Sequence, residues 1–131
     1  MSHSILIKSE SRFPIKRKQI KKLVARVLKE QGVVSQVELS ISFIGKRKMR
    51  SLNREYREID QPTSVLSFSL TEKRAGEKFI IPADQVLRLG DIVICYQEAQ
   101  RLASEEQVLV DEEIDHLIKH GLLHLLGIHH I

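Results

Sequence analysis

Five of the six histidines fall within the last sixteen residues: His116, His120, His124, His129 and His130. Imidazole is a common transition-metal ligand and the side chain that changes charge near neutrality. Clustering on this scale therefore points to a metal site. The run reads His120-Gly121-Leu122-Leu123-His124-Leu125-Leu126-Gly127-Ile128-His129-His130. His120 and His124 are four residues apart, so a helix puts both rings on one face with Cβ atoms about 6 Å apart. Gly127 suits the end of that helix, because glycine takes a positive φ without strain. A turn there lets His130 swing back and add a third nitrogen. Three imidazoles leave a fourth position for water or substrate, the arrangement of a catalytic rather than a structural zinc site. One zinc ion per chain is the expected cofactor, although nickel or another divalent ion suits the same nitrogens.

The pattern H-x-x-x-H-x-x-G-x-x-H is the metzincin zinc signature with one change. Gly121 stands where those peptidases carry the glutamate that takes a proton from the metal's water. A metal site survives that change; peptidase chemistry loses its usual base. A purification tag would not interleave leucines at amphipathic spacing. Which histidines complete the set stays open. His116 lies one turn before His120 on the same side and suits a contact to substrate or support behind a ligand. His129 is a neighbour of His130 with the wrong spacing for the signature.

Several other side chains could act beside a metal: Arg57, Asp60, Asp91 and the hydroxyl group set Thr63, Ser64, Ser67 and Ser69. Arg57 ends a predicted helix just before a loop containing Pro62. Its planar fork suits a phosphodiester and the extra charge of a pentacovalent transition state; composition alone favours the simpler use, a charge at the negative end of the helix dipole. Asp91 is expected to cap or hold a loop, and Cys95 to be a small core residue. No glycine-rich phosphate loop and no Ser-His-Asp order is present. Aromatic residues make up 5% of the chain, so no stacking platform for single-stranded RNA is evident.

The elements that must position these groups can be read from periodicity. Ile5 to Ile7 is a short β-type run. Pro14 suits a first helical position, and Ile20, Leu23, Val24, Val27 and Leu28 recur at helical spacing up to Gly32. Val37, Leu39, Ile41 and Phe43 alternate as a strand with one buried face. Lys46 to Arg57 reads as a helix with Met49, Leu52 and Tyr56 on one side. Val65 to Leu70 is a further strand, residues 71–84 a polar loop, and Gly90 to Cys95 a buried strand. Helices follow at about Tyr96 to Ala103 and Val110 to Leu126. The expected fold is α+β: a single compact domain over residues 1–131, with a small mixed sheet packed by helices and a zincin-like metal helix near the C-terminus.

Composition sets the remaining bounds. The chain has 131 residues, 42% hydrophobic and 29% charged, as in an ordinary globular domain. No apolar run approaches the length that spans a bilayer, residues 1–10 do not read as a signal peptide, and a lone cysteine suits a reducing compartment. The expectation is a cytoplasmic protein with no membrane partner. The net charge of +4 divides into +9 over residues 1–60 and −5 over residues 61–131. The basic half carries Lys16, Lys18, Lys21, Lys22, Arg26 and Lys29 on one predicted helix and Lys46, Arg47, Lys48 and Arg50 on the next. Such faces can follow a polyanion or simply be solvated.

The stretch Leu52-Asn53, Tyr56-Arg57, Asp60, Pro62-Thr63, Val65-Leu66-Ser67-Phe68 is similar to the central motif of the YbeY endoribonucleases, also called ribosomal RNA maturation factors. Leu89 to Ile94 resembles their next strand, and His120 to His130 their metal motif. The resemblance runs in order from Leu52 onward; the first 50 residues match in pattern only. It implies zinc held by His120, His124 and His130, and an α+β fold. It implies a hydrolytic cut in single-stranded RNA, used in maturing the 3′ end of small-subunit ribosomal RNA and in ribosome quality control. Arg57 matches the family's invariant arginine, which assists catalysis or binds phosphate. Ser64 and Ser69 stand where the family usually has Asp and Pro, and His129 where it usually has Asp. The first two touch RNA contacts near the site; the third touches support or choice of the third ligand.

Three functions follow for comparison. In the first, a metal-dependent endoribonuclease, the metal activates a phosphodiester toward water or the RNA's own 2′-hydroxyl and Arg57 assists. Lys46, Arg47, Lys48, Arg50 and His116 contact the substrate, and binding is steeply salt-dependent. Its partners are ribosomal RNA and the ribosome or its small subunit, with no DNA. The second is a non-enzymatic RNA-binding assembly factor with a structural metal. The third, a zinc peptidase, is disfavoured by Gly121. Oligomeric state is not legible.

Overall fold

The structure is a computed structural model that describes residues 3–70 and 85–128. Eight elements follow one another: β1 (Ser4–Ser9), α1 (Arg17–Glu30), β2 (Gln36–Ile44), α2 (Lys46–Arg57), β3 (Val65–Ser69), β4 (Val86–Cys95), α3 (Tyr96–Glu106) and α4 (Val110–Leu125). The strands form one mixed sheet in the order β1-β2-β4-β3. β1 and β4 run parallel to β2 on either side of it, and β3 pairs antiparallel with β4 at an edge.

Strand β4 explains why its first half escapes a sequence reading. Its buried apolar residues are Leu87, Leu89, Ile92 and Ile94, a series whose parity changes between 89 and 92. A regular strand cannot bury both halves on one face, because successive side chains alternate. The register resolves it: Glu38 pairs with Arg88, while Leu39 pairs with Gly90, so Leu89 is an extra residue in a bulge. Beyond the bulge Ile92 and Ile94 return to the core. The strand therefore begins at Val86, four residues before the expected Gly90, and Asp91 lies within it instead of opening it. Gly90 has φ +135°, and a Cβ there would come within 2.0 Å of the Phe68 carbonyl oxygen on β3.

The core lies on one face of the sheet. Val37, Leu39, Ile41 and Phe43 of β2 join the β4 residues, with Ile20, Leu23, Val24, Val27 and Leu28 of α1 and Ile114, Leu117, Ile118, Leu122 and Leu125 of α4. Each large side chain buried in this way contributes about 1.5–3 kcal/mol. On the other face α2 covers one end of the sheet, where Ile44, Met49, Leu66 and the free Cys95 form a smaller cluster.

Two expectations about the helices are corrected. Helix α1 starts at Arg17, not at Pro14; the Ile15 N–H donates to the Phe13 carbonyl at 2.8 Å, so Pro14 sits in a tight turn ahead of the helix. On α2, Tyr56 is not on the buried side but 59% exposed, whereas Asn53 is 2% exposed. Met49 and Asn53 are four apart and share the inward stripe, and the Asn53 Nδ2 donates to the Gln61 carbonyl at 2.8 Å, holding the loop that follows the helix. The loop expected at residues 71–84 lies outside the described residues.

Candidate functional site

Helix α4 is built to present its last turns to the surface while gripping the sheet. Asp111, Glu112 and Glu113 occupy its first turn, where negative charge complements the helix dipole. His120 and His124 are both exposed and one turn apart. Between them Gly121 is buried against β4: an added Cβ would lie 3.1 Å from the Ile92 Cγ2 and 3.3 Å from its Cδ1. The position that holds a base in the peptidase signature therefore points into the sheet, and glycine there lets helix and strand approach. Gly127, with φ +78°, turns the chain after α4, as expected.

A strand residue meets this face. The Ser67 Oγ lies 2.7 Å from the His124 Nδ1. From the sequence, Ser67 is one of four candidate hydroxyl residues; the fold brings it to His124. Ser67 pairs with Ile92 in the register of β3 on β4, so its side chain shares the face on which α4 lies. The geometry depends on Gly90 as well, since only a residue without Cβ lets the chain come this close at Phe68 and Leu70. A hydrogen bond at one ring nitrogen fixes an imidazole's plane and leaves ligation to the other, the usual support of a metal-binding histidine.

The remaining candidates separate. Among the described residues no three His, Cys, Asp or Glu side chains come together as a metal-holding group. His120 and His124 supply two nitrogens, and His129 and His130 lie outside the described residues. His116 is exposed on α4, one turn before His120. Asp60 is held by arginines: Arg50 grips it through Nε at 2.9 Å and Nη2 at 3.0 Å, and Arg54 Nη1 stands 3.6 Å away. Arg50 thereby holds the Asp60 carboxyl below the usual carboxylate range. The Ser64 carbonyl accepts from the Cys95 N–H at 2.9 Å, a structural use of that residue. Cys95 is buried, as expected, and burial pushes its thiol up.

The basic candidates also divide. Lys48 is paired with Glu10 at 2.5 Å and Arg50 with Asp60, so each must leave a carboxylate to reach a phosphate. Lys46, Arg47 and Arg57 are exposed and engage in no ion pair among the described residues. Arg57 is the last residue of α2, followed by Glu58 in the left-handed conformation at φ +59°. Its neighbour Tyr56 packs edge-on against Phe68 of β3, ring centroids 5.0 Å apart. Thus β3 touches the end of α2 through Phe68 and α4 through Ser67, from its two faces.

Comparison with known proteins gives this arrangement a family. A sequence profile described as Endoribonuclease YbeY matches residues 6–131. The chain belongs to the YbeY family. Endoribonuclease YbeY of Oceanobacillus iheyensis is 40% identical over 112 residues, covering 86% of this chain and 73% of that protein. The Endoribonuclease YbeY of Dehalococcoides mccartyi is 33% identical over 135 residues, 99% of this chain and 78% of its own length. A solution structure of a Thermotoga maritima protein superposes with a TM-score of 0.64 over 97% of this chain and 75% of that one. At 23% identity it speaks for the fold alone. The YbeY match begins at Leu6 and so includes α1 and β2, which from sequence resembled the family only in pattern.

Proposed function

We propose that this chain is a metal-dependent endoribonuclease that cuts single-stranded RNA. Its place is the cytoplasm, in maturation of the 3′ end of small-subunit ribosomal RNA and in ribosome quality control. Membership of the YbeY family, whose members carry the name endoribonuclease, supports the RNA-cutting part. The observation that carries the metal part is the Ser67–His124 contact: an exposed imidazole one turn from a second, with its Nδ1 already engaged at 2.7 Å. That donor set fits zinc or another divalent ion, held by His120, His124 and His130, with His124 ligating through Nε2. When bound, the metal supplies Lewis acidity at the phosphodiester.

The chain's own groups do the rest. With Nε2 on the metal, the His124 Nδ1–H would donate a hydrogen bond to the Ser67 Oγ, which holds the ring in that tautomer. Arg57 binds the phosphate through its guanidinium fork and stabilises charge that builds on it. Lys46 and Arg47 follow the backbone on either side, and His116 contacts the strand near the first ligand. No helix among the described residues is long and apolar enough to cross a membrane, and RNA with the small subunit is the partner this surface suits.

The test is cleavage of a single-stranded RNA by purified protein with added zinc, with chelator, and with Arg57→Ala and His124→Ala proteins prepared identically. Cutting that needs the metal and both side chains supports the assignment. Equal cutting by all preparations identifies a contaminant and refutes it. No cutting with retained RNA or ribosome binding puts a non-enzymatic assembly factor in its place.

A further inference from the structure

Tyr56 occupies an apolar position in the pattern of α2, yet the structure leaves it 59% exposed. Its ring does not hang loose. Phe68 holds it at a centroid distance of 5.0 Å with the planes 65° apart, an edge-to-face packing that fixes the ring without covering it. Its chain neighbour is Arg57. Ile59, also exposed, follows two residues on. Phe68 in turn is next to Ser67, whose hydroxyl engages His124. Because adjacent strand residues point to opposite faces, Tyr56 and His124 flank β3 from its two sides. In the described sheet β3 is an edge strand, so a polymer crossing that edge can meet both.

We propose that Tyr56 is a stacking platform for a nucleobase of the RNA, on a nucleotide neighbouring the phosphodiester at Arg57. This role presupposes that the chain acts on RNA. The chemistry favours it over a merely solvated tyrosine: a rigid, exposed aromatic next in the chain to an arginine with no ion pair among the described residues offers a face for a base and a fork for its phosphate. Every base has a π-face, so the contact is tolerant of sequence. Bases inside a duplex are already stacked and out of reach, so the contact selects single strands. The low aromatic content that argued against a platform does not bear on one well-placed ring.

The chain has no tryptophan, so Tyr56→Trp introduces a lone indole at the proposed contact. Its emission is expected to be quenched on titration with a 2′-O-methyl RNA oligonucleotide, and not with an abasic oligonucleotide of equal length and charge. In kinetics, Tyr56→Ala raises KM about 10-fold, within the range for loss of one base–aromatic stack, and changes kcat less than twofold. Tyr56→Phe keeps the ring and keeps KM near the parental value, which separates stacking from misfolding. Unchanged emission at oligonucleotide concentrations that saturate binding overturns the proposal, as does equal quenching by the abasic strand. These results are distinguishable from failure of the nuclease reading: quenching reports binding even if no cut occurs, while loss of quenching with cutting intact removes only the role of Tyr56.

Discussion

Replacing Gly90 by alanine should be far more damaging than replacing another glycine of positive φ, and the structure gives the reason for the difference. Gly90 has φ +135°, and the new Cβ would fall 2.0 Å from the Phe68 oxygen, 3.0 Å from its carbonyl carbon and 3.1 Å from the Leu70 nitrogen. All three are backbone atoms, so no side chain can swing aside. Either β3 moves away by about 1 Å or more to restore ordinary contact, or the backbone at residue 90 leaves its bulge. Forced backbone geometry costs about 1–3 kcal/mol. Loss of the adjoining ladder bonds, such as Leu70 N–H to the Leu89 carbonyl at 3.0 Å, adds roughly 0.5–1.5 kcal/mol each. A destabilisation of about 2–5 kcal/mol results, or roughly 8–20 °C in Tm for a chain of this size. Gly32 is the control: its φ is +73°, and nothing lies within 4 Å of the Cβ it would gain. Gly32→Ala pays only the left-handed backbone penalty, about 1 kcal/mol, and loses roughly 4 °C. Thermal unfolding followed by circular dichroism measures both. A Gly90→Ala protein that melts within about 3 °C of the parent, or no lower than Gly32→Ala, refutes the argument from close strand approach.

Two further outcomes are expected. Ser67→Ala should weaken zinc binding by about 10–100-fold while leaving Tm nearly unchanged, since the lost hydrogen bond is exposed; competition with a chelating dye reads the affinity, and parental affinity would dismiss Ser67 as a support for His124. Glu113 is 4% exposed, and burial, then the negative charge of Glu106, pushes its carboxyl above the usual range. Folding therefore favours its protonated form, so its stability contribution is full below the unfolded value near 4.5 and is lost as pH rises through the raised folded value. Glu113→Gln, which imitates the protonated form, should raise Tm at pH 7.5 and change little near pH 4; melting curves with no such difference would contradict this.

Strong periodicity made most of the fold legible. The α1 stripe from Ile20 to Leu28, the alternation of β2 and the apolar face of α4 each bury a continuous surface, so pattern and packing coincide. The reading failed where one residue breaks the period. The extra Leu89 in β4 reverses the alternation, and no local rule separates a bulge before Gly90 from the start of a strand. Tyr56, expected on the inward side of α2, is exposed, while the polar Asn53 turns inward and holds the next loop through the Gln61 carbonyl. At the site, the spacing of His120 and His124 was visible because a helix converts a count of four into proximity. Ser67 is remote in sequence from His124, and only the pairing of β3 with β4 brings it there. The bidentate hold of Arg50 on Asp60 spans ten residues and a loop, so no helical spacing rule announces it.

The strand order has a consequence for how this protein is made. β3 is the third strand in the chain, but β4, the strand it pairs with, and α4, which its Ser67 contacts, both come later. A ribosome adding about 5–20 residues per second completes β4 roughly 1–5 s after β3 and α4 several seconds after that. During this interval Val65, Leu66 and Phe68 wait without the strand that shelters them. The hydroxyl that steadies His124 has no histidine to hold until nearly all of this chain has been joined. Synthesis interrupted before α4 therefore leaves Ser67 without the imidazole it contacts.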